Sequence, residues 1–399
     1  MSKASPFIAA VPADRLKVWV LAPSLVTNDA NIDYYYDFSQ SIEEYTKVFA
    51  ALGIAWQWQP VTQEDFASVI EDIAAEKQRG VCEPVVFNLC DGDEVNGTPG
   101  ISVIQLLEKK GLVYTGADEY FYRITTSKIP MKQAFDEAGI PTAPWEVIRE
   151  PEQDVSGIFD RLGTPVILKP AVSGGSMGVG TRNVVHTEKE LREQLLQMFA
   201  GYRGWNLASD GIIAESFITG PEFTTMIAGS SQFPSQCRVY KPVERVFHAS
   251  LPDHEKFLSF DRLWEIYEEE SPMPGDADFY AYRLPDAALH DALEKLSLNA
   301  YLAVKGTGYT RADIRMDEKT GRFYILEVNA QCGLSEDEDF TSIGAILRVS
   351  NATFTSLVAE IINDAYRRKQ KPAVAIEKHD SETPVVPLSM VKARRKKIP

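Results

Sequence analysis

The stretch PVILKPAVSGGSMGVGTRNVVH, residues 165–186, places a lysine directly before a glycine-rich run. Phosphate loops that lead from a strand into a helix have the opposite order, with the glycines first and the phosphate at the helix N-terminus. Here the segment after the glycines, TRNVVH, is typical of a strand, and the next helix begins only at Thr187, where Thr187 and Glu190 form a capping box. The pattern therefore predicts a β-hairpin with a glycine-rich tip. The chain has no GxxxxGK[ST] sequence, which argues against a P-loop.

A hairpin of this kind is suited to phosphate binding. Lys169 lies on its first strand, and backbone N–H groups of the tip can fold over phosphate oxygens that the same lysine reaches. Four glycines give the tip freedom to close: Gly174, Gly175, Gly178 and Gly180. A surface hairpin with an unrelated lysine is the alternative that this stretch alone leaves open.

A second hairpin is predicted by YTRADIRMDEKTGRFYILEVNAQCG, in which two alternating segments flank the polar turn DEKTGR. Alternation places Arg311 and Asp313 on one face of the first strand, and Glu327 and Asn329 on one face of the second. A turn centred on Thr320 pairs Asp313 with Glu327 and Arg311 with Asn329.

Two carboxylates directly opposite each other across strands are destabilising unless their charge is compensated. A divalent cation compensates it, and Asp, Glu and Asn oxygens are ligands that Mg²⁺ accepts beside nucleotide phosphates. The hairpin therefore predicts a metal site at Asp313, Glu327 and Asn329, with Arg311 placed to neutralise a developing oxyanion. An exposed, salt-linked hairpin is the alternative, and the apolar residues that flank Glu327 disfavour it.

The N-terminal third alternates buried strands and helices, which predicts an open α/β layer with a parallel sheet. Its helix over residues 41–53 begins with a capping box of Ser41 and Glu44 and ends at Gly53. Ligands of such sheets bind at the carboxyl ends of strands, so Asp91, which follows the strand PVVFNLC, is expected to face a cleft. A solvated acidic turn is the alternative at this position.

Composition narrows the function classes. The 399 residues carry a net charge of −16, which disfavours a nucleic-acid surface, and are long enough for two or three domains around one cleft. Four scattered cysteines predict a reducing compartment, and no signal peptide or membrane span is apparent, so we expect a cytoplasmic protein. The basic end, residues 371–399, is expected to be a flexible tail, with a nuclear-localisation signal or an anionic-partner patch as alternatives.

Between about residue 84 and residue 335 the motifs together resemble the ATP-grasp ligases, closest in pattern to D-alanine–D-alanine ligase and its relatives. The resemblance implies an α/β fold (the α+β ATP-grasp type), with an N-terminal α/β layer followed by two ATP-grasp subdomains that hold nucleotide between them. It predicts the following division of the chain: an N-terminal substrate domain over 1–122, a small lid subdomain over 123–210, a large subdomain over 211–370 and the tail over 371–399.

The resemblance also implies roles for individual residues. Those implied for the nucleotide are Lys128 and Lys169, the tip residues Gly175, Ser176, Met177 and Gly178, Glu215 for the adenine amine, the backbone of Phe217 and Ile218, and Glu222 for the ribose hydroxyls. Metal ligands and the transition-state arginine are those of the second hairpin, and the N–H near Gly333 is implied as a second oxyanion donor. Substrate contacts are expected at Asp91, Ser173, Ser335 and Glu338.

The implied reaction begins when a substrate carboxylate attacks the γ-phosphate of ATP and forms an acyl phosphate. An amine then attacks the acyl carbon, and ADP and phosphate are the by-products. ATP and Mg²⁺ are the implied cofactors, with one or two ions and Mn²⁺ as a substitute. The expected partners are a small-molecule carboxylate and a small-molecule amine, and we expect no nucleic-acid or membrane partner. A homodimer is an alternative to a monomer that the sequence does not decide.

Several substrate positions differ from the D-alanine pattern. Ser173 stands where the family has a glutamate, Asp91 where it has a histidine, and Glu338 where it has a carboxylate-binding serine. Gly175 replaces the first serine of the tip. The lysine of the family's mobile loop is matched by Glu265, with Lys256 and Arg262 as substitutes.

These differences favour a ligase of specialised amino-acid or natural-product metabolism. The acidic run over 336–339 predicts an acceptor that carries a cationic or polar group. A D-alanine–D-alanine ligase of cell-wall synthesis is the first alternative. A nucleotide-binding module without turnover is the second, and the retained lysines and metal residues argue against it.

Overall fold

The computed structural model describes residues 11–25 and 36–370. The basic tail and part of the first loop lie outside these residues. The described N-terminal part forms a four-stranded parallel sheet in the order β2-β1-β3-β4, as the alternation of strands and helices predicts. Its strands are β1 Leu16–Pro23, β2 Ala55–Val61, β3 Glu83–Asn88 and β4 Val113–Tyr114. Its helices are α1 Ser39–Leu52, α2 Phe66–Gln78, α3 Ile101–Lys109 and α4 Glu119–Thr126.

A smaller antiparallel sheet follows, in the order β5-β8-β6-β7. Its strands are β5 Trp145–Ile148, β6 Val166–Pro170, β7 Val184–Val185 and β8 Ile212–Ser216, and the helices of this region are α5 Lys128–Glu137, α6 Ile158–Leu162 and α7 Glu188–Ala200. The predicted boundary at 210 separates β8 from this sheet, whereas the structure pairs β8 with both β5 and β6.

The third sheet has six strands in the order β12-β11-β9-β13-β14, with β10 paired to β9, and its recorded pairings are antiparallel. Its strands are β9 Glu222–Ala228, β10 Arg238–Val239, β11 Val243–Phe247, β12 Tyr280–Arg283, β13 Tyr309–Met316 and β14 Phe323–Ala330. The helices are α8 Phe260–Leu263, α9 Ala287–Ala303, α10 Ser342–Val349 and α11 Phe354–Gln370.

One large core joins the first sheet to the third and to the C-terminal helices. Tyr45 of α1 is central to it, with ring centroids 5.3 Å from Phe87 of β3 and 5.6 Å from Phe354 of α11. The N-terminal layer is therefore packed against the C-terminal helix α11.

Two of the helix-end signals predicted from the sequence are present in the structure, and one is not. Gly53 ends α1 in the left-handed conformation, with φ of 66°, and the Thr187–Glu190 capping box of α7 is present. The capping box predicted for α1 is wrong. The helix begins at Ser39, after Phe38, whose side chain makes no capping hydrogen bond. Glu44 is buried at 3% exposure, and its carboxylate accepts a hydrogen bond from Ser335 in a distant loop rather than from the backbone at the start of the helix.

No single helix in residues 11–25 and 36–370 is long and apolar enough to cross a membrane. One pair, α10 with α11, meets the length and composition test only when taken together, and it is bent by 100°. All four cysteines are free thiols.

Candidate functional site

A cavity of about 630 Å³ lies where the N-terminal layer meets the two antiparallel sheets, and residues of all three regions line it. The loop after β3 and the strands β6, β13 and β14 contribute residues to its lining, which brings together segments that are far apart in sequence. The sequence-predicted site residues that line it are Asp91, Lys128, Lys169, Ser173, Gly175, Ser176, Glu215, Phe217, Ile218, Glu222, Arg311, Asp313, Glu327, Asn329, Gly333 and Ser335.

The second predicted hairpin forms from β13 and β14 with the expected register at its functional positions. Asp313 pairs with Glu327 and Arg311 with Asn329. The turn itself is not centred on Thr320, because Ile314 pairs with Ile325 nearer the turn. A β-bulge between the two segments of the ladder absorbs the extra residue and aligns the two carboxylates.

Positive charge and hydrogen bonds already compensate the opposed carboxylates. Arg311 donates to Asp313 from Nε at 3.1 Å and from Nη2 at 2.8 Å. The amide nitrogen of Asn329 donates to Asp313 Oδ2 at 3.1 Å and Glu327 Oε1 at 3.2 Å, and Lys128 Nζ lies 3.8 Å from Glu327 Oε2. Burial raises the pKa of Asp313, but the Arg311 and Arg245 guanidiniums outweigh it and hold this pKa below its ordinary value.

The donor set of this hairpin fits a hard divalent cation. Two carboxylates and one amide face the same part of the cavity, and Mg²⁺ characteristically takes one or two carboxylates and completes its shell with phosphate and water oxygens. Asn329 must rotate its amide so that the oxygen replaces the nitrogen. Within residues 11–25 and 36–370 there is no cluster of three or more His, Cys, Asp or Glu side chains suited to a metal.

The two predicted nucleotide lysines enter the cavity from different elements. Lys128, at the start of α5, lies 3.3 Å from the carbonyl oxygen and 3.4 Å from Oγ of Ser173 in the tip. Burial lowers the pKa of Lys128 and Lys169 adds to this, while Glu327 opposes it. Two ammonium groups near each other in a desolvated cleft favour a polyanionic ligand.

Glu215 is fully buried and lies between two lysines. Its Oε1 is 3.6 Å from Lys169 Nζ, and its Oε2 is 3.0 Å from Lys132 Nζ, which also donates to Thr142 Oγ1 at 2.7 Å. Sequence reasoning missed Lys132, although it lies four residues after Lys128 on α5 and so shares a helix face with it.

Glu222 lies between two buried arginines that also line the cavity. Arg245 of β11 and Arg315 of β13 both donate to its carboxylate. Alternation along β13 places Arg315 on the face that carries Arg311 and Asp313, so a sequence signal existed for it. Arg245 has no comparable signal, since β11 reaches the site only through sheet pairing with β9.

Residues 134–363 match the family model described as D-ala D-ala ligase C-terminus, which is more than half of the chain. The chain belongs to this family. It is 27% identical over 263 residues to the D-alanine–D-alanine ligase of Stutzerimonas stutzeri, covering 65% of this chain and 71% of the relative. The corresponding ligase of Clostridium beijerinckii is 24% identical over 336 residues, covering 80% of this chain and 99% of the relative.

Solved structures give the same result for the fold. The D-alanine–D-alanine ligase of Bacillus anthracis complexed with ATP superposes with a TM-score of 0.62 at 19% identity, over 89% of this chain and 98% of that one. The ligase of Coxiella burnetii gives a TM-score of 0.59 at 16% identity, over 89% and 96%. The predicted ATP-grasp fold class is confirmed, and the chain is an ADP-forming ATP-grasp ligase.

Two residues that the family resemblance assigned to the nucleotide do not reach the cavity. Met177 is 1% exposed and packs with Leu207 and Phe260, and its N–H donates to the Gly174 carbonyl at 3.0 Å. Gly178 has φ of +74°, and a Cβ there would lie 2.7 Å from a Leu207 methyl. Both residues fix the tip from behind, because the tip is anchored in a small apolar cluster.

Glu338, for which the sequence predicts a contact with the acceptor, lies outside the cavity lining. Its carboxylate lies 3.7 Å from Arg348 of α10 with the side chain 54% exposed. Glu336 pairs with Lys47 at 3.0 Å, and the Asp337 carboxylate accepts backbone N–H groups of its own turn. The acidic run is a surface turn held by ion pairs.

The segment that replaces the family's mobile loop also differs from expectation. Lys256 pairs with Asp253 at 2.7 Å, Arg262 is buried and donates to Glu255 at 2.7 Å, and neither lines the cavity. Glu265 does not line it either. Trp264 of this segment does reach the tip, where its Nε1 donates to the Gly175 carbonyl at 3.0 Å.

Proposed function

We propose that this protein joins a carboxylate to an amine through an acyl phosphate formed from ATP, with D-alanine as the first candidate for both substrates. The observation that carries the proposal is that Lys128, Lys169, Arg311 and the opposed pair Asp313 and Glu327 line one cavity. The named relatives are D-alanine–D-alanine ligases, which supports this substrate over the specialised carboxylates that the sequence analysis favoured.

In the proposed reaction, Lys128 and Lys169 bind the phosphates of ATP. A substrate carboxylate oxygen attacks the γ-phosphorus, the bond from that phosphorus to the ADP oxygen breaks, and an acyl phosphate forms. The amine nitrogen then attacks the acyl carbon, phosphate leaves with the bonding electrons, and the nitrogen loses a proton. Arg311 and the N–H near Gly333 face the oxyanion that develops on the acyl carbon.

Asp313, Glu327 and Asn329 are the residues that would hold Mg²⁺ or Mn²⁺. When bound, a divalent cation supplies neutralisation of phosphate charge, which the side chains complement from the other side. We propose small-molecule partners and a cytoplasmic location, in line with the sequence-based expectation.

A second candidate is ligation of a carboxylate or amine other than D-alanine. It is supported by the two tip residues Ser173 and Gly175, which line the cavity but are not the glutamate and serine that the family resemblance led us to expect. A change at these positions alters the surface that meets the substrate and leaves the nucleotide lysines in place.

The test is phosphate release from Mg·ATP with D-alanine, followed by a panel of amino acids and amines with product masses measured. D-alanyl-D-alanine formation supports the first candidate, and phosphate release that requires another pair of substrates supports the second.

Lys169→Ala should raise the KM for ATP and lower kcat together, because the ammonium contacts phosphate in ground and transition states. Lys189→Ala is the matched control, since Lys189 is an exposed lysine on α7. Absence of phosphate release with every pair would refute the ligase proposal.

A further inference from the structure

The loop that follows β14 contains a serine whose hydrogen bonds are determined by a buried carboxylate. Ser335 lines the cavity, and its Oγ donates to Glu44 Oε1 at 2.7 Å. Its Oγ also accepts the N–H of Asp337 at 3.1 Å. Glu44 belongs to α1 and reaches this loop across 291 residues of sequence.

Glu44 has few other partners, which makes its bond to Ser335 important. Gln40 Nε2 donates to the same oxygen, Oε1, at 3.1 Å, whereas Oε2 is buried without a hydrogen-bond partner. A buried carboxylate accepts hydrogen bonds and donates none when it is ionised. The Ser335 hydrogen therefore lies toward Glu44, because turning it away would remove a charge-assisted hydrogen bond from a carboxylate that already lacks one.

A serine hydroxyl has one hydrogen and two acceptor positions. In Ser335 the hydrogen is used by Glu44 and one acceptor position by the Asp337 N–H. Toward the cavity, the Ser335 hydroxyl can therefore only accept a hydrogen bond. A hydroxyl that binds a substrate carboxylate must donate, and Ser335 in this arrangement cannot do so.

We propose that Ser335, positioned by Glu44, accepts a hydrogen bond from the N–H of the acceptor amine and does not bind the acceptor's carboxylate. Ser335 is then a binding residue for the second substrate, and Glu44 is a positioning residue. This inference rests on the proposed ligase function. Ser335 thus recognises the second substrate through an N–H group of its amine. That substrate does not need a carboxylate at this position.

The test compares two acceptors of one size, D-alanine and D-alaninamide, with D-alanine as the saturating carboxylate donor. D-alaninamide has no carboxylate, so it can act only as the acceptor, and mass spectrometry separates the two products. Ser335→Ala should lower kcat/KM for both acceptors by a similar factor of about five to ten. A loss confined to D-alanine would show that Ser335 binds the carboxylate and would overturn the proposal.

Glu44→Gln supplies a second, independent readout. The glutamine amide can donate to Ser335, which frees the serine hydrogen to donate into the cavity. The ratio of the D-alanine product to the D-alaninamide product should rise about threefold or more, a change that lost packing alone does not predict. Glu43→Gln, on the exposed side of the same helix, should leave the ratio unchanged.

Folding is checked by thermal unfolding and Mg·ATP binding, and if Glu44→Gln does not fold, the Ser335→Ala comparison decides alone. If D-alanine gives no product, the amino acid selected by the phosphate-release screen and its carboxamide replace this pair. Absence of phosphate release with all substrates refutes the proposed function and the inference with it. Phosphate release with an unchanged product ratio in Glu44→Gln, or an acceptor-dependent loss in Ser335→Ala, refutes the inference alone.

Discussion

At the scale of single residues, the two opposed carboxylates of the metal hairpin are not equivalent. Asp313 is buried and accepts hydrogen bonds from the Arg311 guanidinium. The Glu327 side chain is 28% exposed, accepts a hydrogen bond from Asn329 and lies 3.8 Å from the Lys128 ammonium. If repulsion between the two carboxylates were uncompensated, neutralising either one would preserve or raise the stability of the fold. The structure changes this expectation for Asp313, because its removal leaves a guanidinium without its partner.

Glu327→Gln should abolish ligation with little change in melting temperature, because the Glu327 carboxylate is partly exposed and its contact with Lys128, at 3.8 Å, is longer than the 2.8 Å contact of Asp313 with Arg311. Asp313→Asn should also abolish ligation and lower the free energy of unfolding by about 1–3 kcal/mol. Phosphate-release assays and urea unfolding measure the two effects, with Glu318→Gln in the exposed turn of the same hairpin as control. Full activity of Glu327→Gln would contradict the metal assignment.

Glu215 links a second residue-scale prediction to pH. Burial raises its pKa, but Lys132 and Lys169 outweigh burial and bring the pKa below its ordinary value. The pair therefore stabilises the fold above the unfolded pKa of about 4.3, and this stabilisation is lost as pH falls through the lower folded pKa.

Glu215→Gln leaves Lys132 buried without its carboxylate and should cost about 3–5 kcal/mol at pH 7.5. The difference from wild type should shrink as pH falls below about 4.3, because wild type then loses the same ion pair. Urea unfolding at a series of pH values measures it. Glu146→Gln, which removes an exposed partner of Arg161, serves as the control and should show little effect at any pH. A pH-independent difference would mean that the effect of Glu215 is packing alone.

At the scale of elements, the glycine-rich tip between β6 and β7 is anchored from the outside. Met177 is buried in an apolar cluster, and Trp264 and Phe260 of the neighbouring segment bond to Gly175 and Val179. Its cavity side presents Ser173, next to Lys128. We therefore expect the tip to order further if phosphate binds between it and the lysines.

Mg·ATP should slow protease cutting within residues 173–180 by about tenfold or more if the tip closes on nucleotide. Met177→Ala should increase cutting without nucleotide, because it removes the buried side chain that anchors the tip. The cutting site is determined by mass spectrometry, and Leu196→Ala, an exposed apolar residue on α7, is the control. Cutting that ignores nucleotide in wild type would show that the tip is not a lid.

At the scale of the whole molecule, Gln331 joins parts of the chain that are far apart in sequence. Its Nε2 donates to the Asn88 carbonyl at the end of β3 at 2.7 Å, and its Oε1 accepts the Ala117 N–H at 2.8 Å. Gly116 has φ of +86°, and a Cβ there would lie 1.7 Å from this oxygen, so a larger residue would be strained and would displace the Gln331 amide. The side chain thereby fixes the N-terminal sheet relative to the loop that carries Gly333 and Ser335.

Gln331→Ala should lower the free energy of unfolding by about 2–6 kcal/mol, because two buried backbone groups lose their partners at about 1–3 kcal/mol each. It should also raise the KM for the amine more than the KM for ATP, since the loop beyond β14 loses its anchor. Urea unfolding and steady-state kinetics measure the two effects, with Gln57→Ala on the exposed edge of β2 as control. An unchanged free energy of unfolding would show that the bridge is not structural.

The sequence by itself determined those features that depend on short-range patterns. Alternation and turn position were sufficient to pair Asp313 with Glu327, and helix-end signals located Gly53 and the capping box at Thr187. These features follow from backbone geometry over about twenty residues or fewer, so no distant partner was needed. The ATP-grasp fold was predicted from the resemblance of several such motifs, in a fixed order, to those of the ATP-grasp ligases.

Only the tertiary structure decided where side chains with more than one available partner are directed. The sequence around Glu44 matches a capping box, yet the Glu44 carboxylate accepts a hydrogen bond from Ser335, which is 291 residues away in sequence. Met177 is drawn from the cavity into an apolar cluster, and Lys132 gains its role only because β8 brings Glu215 beside α5. Burial and long-range pairing outweigh local preference in these cases, because a buried polar or charged group without a partner costs more than a helix cap contributes.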